Sequence, residues 1–283
     1  MTTRSLRVAS VLLFVAVPVF GQAPPAARNQ PAATTPWPPS HLADGQPDVQ
    51  GYWAPVLGGT LSLTNPMTGG AEFDARATGR VIRNPSRIVD PPDGLVPYQP
   101  WAAALKKQQE VNFDHPTRPE HIDTQMRCLL SGVPRWYMLG QFQLIQAPES
   151  VVFIWDAYHA YRVIPLDGRP HAGANVKLWM GDGRGHWEGN TLVIDTTNLN
   201  AKARMSITGD FFSTNAHLVE RLTFVDAGTM TYEVTIDDPT VFTRPWTMRV
   251  AERRRPNEEA WEEACHEGEK SSEGALEANR DKK

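Results

Sequence analysis

The feature that most constrains this chain is a series of short alternating runs separated by tight turns, beginning near Gly140. Strand alternation sends successive side chains to opposite faces. In residues 229–237, Met230, Tyr232, Val234 and Ile236 share one face, and Thr231, Glu233 and Thr235 share the other. That is a half-buried strand, and it says which face is inside. Gly189-Asn190 divides 186–188 from 191–197 and fits a two-residue hairpin. Asp226-Ala227-Gly228 divides 218–225 from 229–237. Residues 142–146, 151–155 and 161–166 read as further strands, and 241–251 as a last one. Sequential hairpins at this spacing predict a mainly β fold, an antiparallel meander of about seven or eight strands closing as a lipocalin-like barrel or a sandwich.

Proline divides the chain into two regimes. Of 24 prolines, 17 lie between Pro18 and Pro119, and 7 lie between Pro134 and Pro256. Residues 1–21 read as a signal peptide, with Arg4 and Arg7 before an apolar run over 8–20. That run is short of the roughly 20 residues that span a bilayer. Val19 and Gly21 suit cleavage after Gly21; an uncleaved anchor is the alternative. Residues 22–46 read as a disordered Pro/Ala-rich linker. Residues 47–139 read as an irregular wrapping arm, opened by a strand at Asp48-Val49-Gln50-Gly51-Tyr52-Trp53. Pro100 starts a short helix within it, near 100–111. Residues 140–253 form the β domain. Residues 254–283 form a helical C-terminal segment with breaks near Gly268 and Gly274. No later run is long enough to span, so no transmembrane segment is expected after signal cleavage, and the expected location is periplasmic or secreted.

Lys and Arg number 28 against 32 Asp and Glu, so the net charge is −4, and cleavage of the leader takes it to −6. A mildly acidic chain argues against a nucleic-acid partner. Two cysteines, Cys128 and Cys265, exclude a disulfide scaffold and a four-thiolate zinc site. Export permits a bridge between them. Closing so long a loop would stabilise by up to about 4–5 kcal/mol in the chain-entropy model. Two separate buried thiols are the alternative.

Two charged side chains fall on apolar faces. Glu220 shares its face with Leu218, Leu222 and Phe224, and Arg162 lies between Ala160 and Ile164. Such groups are costly unless paired or used. The functional reading is a catalytic pair in a barrel lumen; the plain reading is a structural ion pair. The densest polar-aromatic cluster runs from Asp167-Gly168-Arg169-Pro170-His171 through Trp179 to Gly189, largely in a loop at one rim. Trp179 and Trp187 could stack on a sugar or aromatic ligand, and Arg169 and Arg184 could hold a carboxylate. His171, with Asp195 at or near the rim, could act as a general acid or base. The plain alternatives are turns, a core tryptophan and arginines that bond loop carbonyls. His217 falls on the opposite face from Glu220, so the two are not a pair. It could contact a ligand, and could bind a metal with Asp195 or His171 only if the fold gathers them. No metal or cofactor is assigned. The serine elbow, the phosphate loop and the dinucleotide glycine motif are all absent, and His266-Glu267 lacks the second histidine of a zinc-protease helix.

The strings PDVQGYW, YRVIPLDGRPH, GRGHWEGNTLVIDTTNLN, HLVERL, YEVTIDDP, RPWT and CHEG together resemble a large family of uncharacterised exported bacterial proteins. The resemblance runs from about Asp48 to Gly268. It implies an exported β-rich domain and brings no activity, substrate or catalytic residue. Members often carry His-Ser-Glu shortly before the Glu-Arg strand; this chain has Phe212-Ser213-Thr214. The leading expectation is an exported barrel enzyme acting on a small organic molecule or saccharide by acid/base chemistry, with Glu220, Arg162, His171 and Asp195 as its catalytic residues. The alternatives are a non-catalytic periplasmic binding protein for a small ligand or saccharide, and an envelope interaction protein working through its Pro-rich arm.

Overall fold

The computed structural model describes residues 40–66, 78–158, 160–265 and 270–280. The expected signal peptide, most of the expected linker, and His266 to Gly268 lie outside them. Ten strands form: β1 (Gly51–Pro55), β2 (Ile88–Asp90), β3 (Phe142–Ala147), β4 (Ser150–Trp155), β5 (Tyr161–Pro165), β6 (Asp182–Glu188), β7 (Thr191–Thr197), β8 (His217–Asp226), β9 (Thr229–Asp237) and β10 (Trp246–Arg254). Among the described residues three α-helices accompany them: α1 (Pro100–Asp114), α2 (Trp136–Leu139) and α3 (Ser271–Arg280). Among the described residues no helix is long and apolar enough to cross a membrane.

The mainly β meander expected from the alternation is the fold observed. Nine strands run in the order β5-β4-β3-β1-β10-β9-β8-β7-β6, all antiparallel, and nearly close into a barrel; β2 pairs with β10 off this path. β1 joins the two meanders, pairing Trp53 with Arg254 of β10 and with Phe142 of β3. The barrel therefore takes a central strand from within the expected wrapping arm. At the seam between β5 and β6, side chains do the closing. A Cβ at Gly183 would meet Ile164 Cδ1 at 2.7 Å, and one at Gly185 would meet Ile164 Cγ2 at 2.6 Å and Leu166 Cδ2 at 2.8 Å. Two glycines at alternate positions let β5 side chains lie directly on the β6 backbone.

The interior is filled. Met230, Tyr232, Val234 and Ile236 are fully buried, as their alternation requires. Short helix α2 inserts Trp136, Tyr137 and Met138 as a plug, all fully buried. The Tyr137 ring stacks on Tyr232 at 4.0 Å between centroids, and Phe142, Phe153 and Trp155 meet it edge-on. Rings of this size dominate core energetics, and each well-packed pair adds about 0.5–1.5 kcal/mol beyond its buried area.

Three expected boundaries move. β6 starts at Asp182 rather than 186, because Gly183 and Gly185 read as turn residues in sequence while serving close packing in the fold. The strand expected over 241–251 starts at Trp246, because the Asp238 carbonyl accepts from the amides of Val241 and Phe242 in a turn. Gly274 lies inside α3 rather than breaking it.

Fixed polar ties hold the arm and the tail. Arg135 and Asp123 form a fully buried bidentate pair, at 2.7 and 2.9 Å, and Arg135 also donates to Gln125 at 2.9 Å. Tyr98, just before α1, donates to Asp210 at 2.8 Å. Cys128 and Cys265 form the expected disulfide, with Cα atoms 5.6 Å apart. Ser272 of α3 donates to the Met126 carbonyl at 2.7 Å.

Candidate functional site

Arg162 and Glu220 do meet inside the barrel, with side chains 2% and 0% exposed. The guanidinium grips the carboxylate at both oxygens, at 2.7 and 2.9 Å. Thr196 donates to the same carboxylate at 2.6 Å, and Tyr232 at 3.0 Å. Burial alone would lower the Arg162 pKa, but Glu220 outweighs it and holds the guanidinium firmly protonated. A carboxylate with this many partners, under a sealed aromatic core, has no free lone pair directed at a substrate. The structural reading of the pair replaces the catalytic one.

The exposed candidates gather instead on the outer wall at one rim. Asp182 opens β6, Asp195 lies near the end of β7 and His217 opens β8, so antiparallel pairing puts all three at the same end. Arg184 is directly opposite Asp195 in the ladder. Inward positions on these strands are Gly183, Ile194 and Leu218; Asp182, Asp195 and His217 therefore face outward. The loop after β5 folds back across this wall and is anchored by the Ala172 amide donating to Asp182 at 2.7 Å.

The result is a continuous hydrogen-bonded chain. His217 Nε2 meets Asp195 Oδ2 at 2.7 Å, and His171 Nε2 meets Asp195 Oδ1 at 2.9 Å. His171 Nδ1 meets Asp182 Oδ2 at 3.1 Å, and Arg184 donates to Asp182 Oδ1 at 2.5 Å. One carboxylate thus bridges two imidazoles, and a second carboxylate and a guanidinium anchor the far end. Burial works against ionising Asp195, but the bonds from His217 and His171 hold its pKa below the usual carboxylate value. Burial likewise opposes ionising Asp182, and the Ala172 amide, Arg184 and His171 hold it low. The chain is open to solvent at this end: the His217 side chain is 42% exposed, Asp195 44% and His171 29%. Among the described residues His217 Nδ1 makes no hydrogen bond.

The other sequence candidates lie apart from this chain or support it. Arg184 also donates to the carbonyls of Pro170 and Gly183, at 3.1 and 2.8 Å, so it holds the loop. Arg169 is exposed and clamped by Asp167 two residues away. Trp187 packs on Phe224 and donates to Gln46 at 3.0 Å, tying the arm to the barrel. Trp179 is half-buried, and its carbonyl closes on Gly132. Arg169, Arg184 and Trp187 thus each have protein partners: Asp167 for Arg169, Asp182 and two carbonyls for Arg184, and Gln46 and Phe224 for Trp187. Among the described residues no three His, Cys, Asp or Glu side chains are arranged to hold a metal ion.

Sequence reasoning singled out His171, Asp195 and His217 but missed Asp182, which links the loop to the strands. The signal was there: all four residues of the Asp182-Gly183-Arg184-Gly185 run alternate as a strand once the glycines are read as packing positions. No protein-family model matches the chain, and no curated protein matches it.

Proposed function

We propose that this is an exported β-barrel enzyme that performs general acid/base chemistry on a small polar organic molecule or saccharide, using the His217–Asp195–His171 chain at its rim. The observation that carries this is a single carboxylate holding two imidazoles, one of them open to solvent through Nδ1. Asp195 fixes the His217 ring and its tautomer, as the orienting carboxylate does in any histidine base. His217 Nδ1 then takes a proton from a substrate hydroxyl, and Asp195 stabilises the imidazolium that forms. His171, Asp182 and Arg184 keep Asp195 in place. The site is polar and open, which suits a hydroxylated substrate approaching from solvent.

Export rests on the N-terminal leader pattern and agrees with the disulfide. The motifs DGRPH, WEGNTLVIDT and HLVERL, which carry the family resemblance, contribute His171, Asp195 and His217 in turn. That three separate motifs supply one cluster supports the resemblance and the site together. A binding chamber inside the barrel has less support, because α2 and the aromatic core occupy that volume.

The test is a turnover screen of small sugars, sugar lactones and hydroxy esters with the wild type beside His217→Ala. General acid/base groups contribute about 10²–10⁴-fold. The variant should lose turnover by that order while keeping its circular dichroism spectrum. Unchanged turnover in the variant would remove His217 from the chemistry.

A further inference from the structure

Toward the other end of β9 and β10, the arm covers the outside of the barrel and leaves a cavity of about 550 Å³. Among the described residues, its walls combine apolar side chains such as Leu57 and Ile88 with three arginines, Arg87, Arg249 and Arg253, against one acidic residue, Asp93. This is a cationic pocket on a chain of net negative charge. Small-molecule sites have this volume and this build: an apolar lining with a few placed polar groups.

We propose that this cavity binds a small organic anion, a carboxylate carried on an apolar body. The three arginines differ in what they leave free. Arg87 is 5% exposed and held rigid, donating through Nη2 to the carbonyls of Leu57 and Gly59 at 2.9 and 2.8 Å. Its Nε is buried with no partner. That donor is sealed from the cavity, so Arg87 acts on a ligand through its positive charge rather than through a new bond at Nε. Arg249 is engaged by Glu233 through Nε and Nη2, at 3.0 and 2.7 Å. Arg253 is exposed and has no partner among the described residues. Behind the pocket, Glu252 faces the interior with both carboxyl oxygens unpartnered, and burial pushes its pKa well up against the pull of Arg87. Arg87 itself is lowered only to about 10 by burial, so it stays charged at neutral pH. A preorganised cation, a free cation at the mouth and an apolar floor together define the ligand.

This site is separate from the rim histidines, and its test reads binding rather than turnover. The full chain is titrated calorimetrically with phenylacetate, hexanoate and glutarate, and with phenylacetamide as the neutral counterpart of the first. At least one acid should bind with a Kd below about 1 mM. The amide should bind at least about tenfold more weakly than phenylacetate if that acid binds, because a charge-assisted bond is lost. Arg253→Gln, an exposed change that spares the core, should weaken acid binding about tenfold, and Asp93→Asn should strengthen it. Equal binding of acid and amide, indifference to Arg253→Gln, or no binding of any acid at about 10 mM would overturn the proposal.

Discussion

Glu220 and Glu252 both point into the barrel, from β8 and β10, and their surroundings differ. Glu220 is matched by Arg162, Thr196 and Tyr232, whereas Glu252 has Arg87 nearby and no hydrogen bond at either oxygen. Removing one partner of a buried pair strands the other, at a cost of about 3–5 kcal/mol. Arg162→Met should therefore destabilise by that order in urea unfolding, and Arg162→Met with Glu220→Leu should recover much of the loss. For Glu252 the sign is opposite to that of a paired carboxylate. Its folded pKa lies above its unfolded value, so the folded state holds the proton longer. Stability is then lost as pH rises from the ordinary glutamate range toward the folded pKa. Glu252→Gln removes that loss, so the stability difference between variant and wild type should grow from pH 4 to pH 8 in the variant's favour. The Arg162–Glu220 meeting was legible in sequence, because alternation put both on apolar faces. Glu252 also alternates with Trp246, Met248 and Val250, but the basic run after it reads as a solvated face and hides it.

At the scale of elements, the β5–β6 seam carries the closure and the position of the rim loop. Gly185→Ala puts a methyl into contact with Ile164 and Leu166, at 2.6 and 2.8 Å, in a packed interior. Overpacking of this kind costs about 1–3 kcal/mol, which should appear as a lower thermal midpoint. The same change should loosen the loop over residues 167–181 and speed its cleavage by a protease relative to the rest of the chain. The strands between tight turns were legible almost to the residue, because period-two alternation and turn residues point the same way over 191–197 and 229–237. The start of β6 was not, because glycine signals a turn and a close approach with the same letter. The plug helix α2 was also hidden: its four residues, Trp136 to Leu139, are too few to show a helical period.

For the molecule as a whole, the arm, barrel and tail are joined at long sequence distance. The Cys128–Cys265 bridge spans a separation of 137 residues. A loop of that length predicts about 4–5 kcal/mol of stabilisation in the chain-entropy model, so Cys128→Ser with Cys265→Ser should lower the urea midpoint correspondingly. Composition pointed to this architecture only in outline. The uneven prolines separated an irregular arm from a regular sheet, but not the return of the arm as β1 between β3 and β10. Strand pairing across so many residues leaves no local pattern to read. What results is a barrel whose interior is closed by packing and whose exposed acid/base groups lie on its outer rim. The direct measurement is turnover of Asp195→Asn beside Glu220→Gln, both confirmed folded, across the small polar substrates of the screen. Asp195→Asn should lose turnover by about 10²–10⁴-fold while folded Glu220→Gln retains it. Full turnover in Asp195→Asn, loss confined to Glu220→Gln, or turnover of no substrate by the wild type would contradict it.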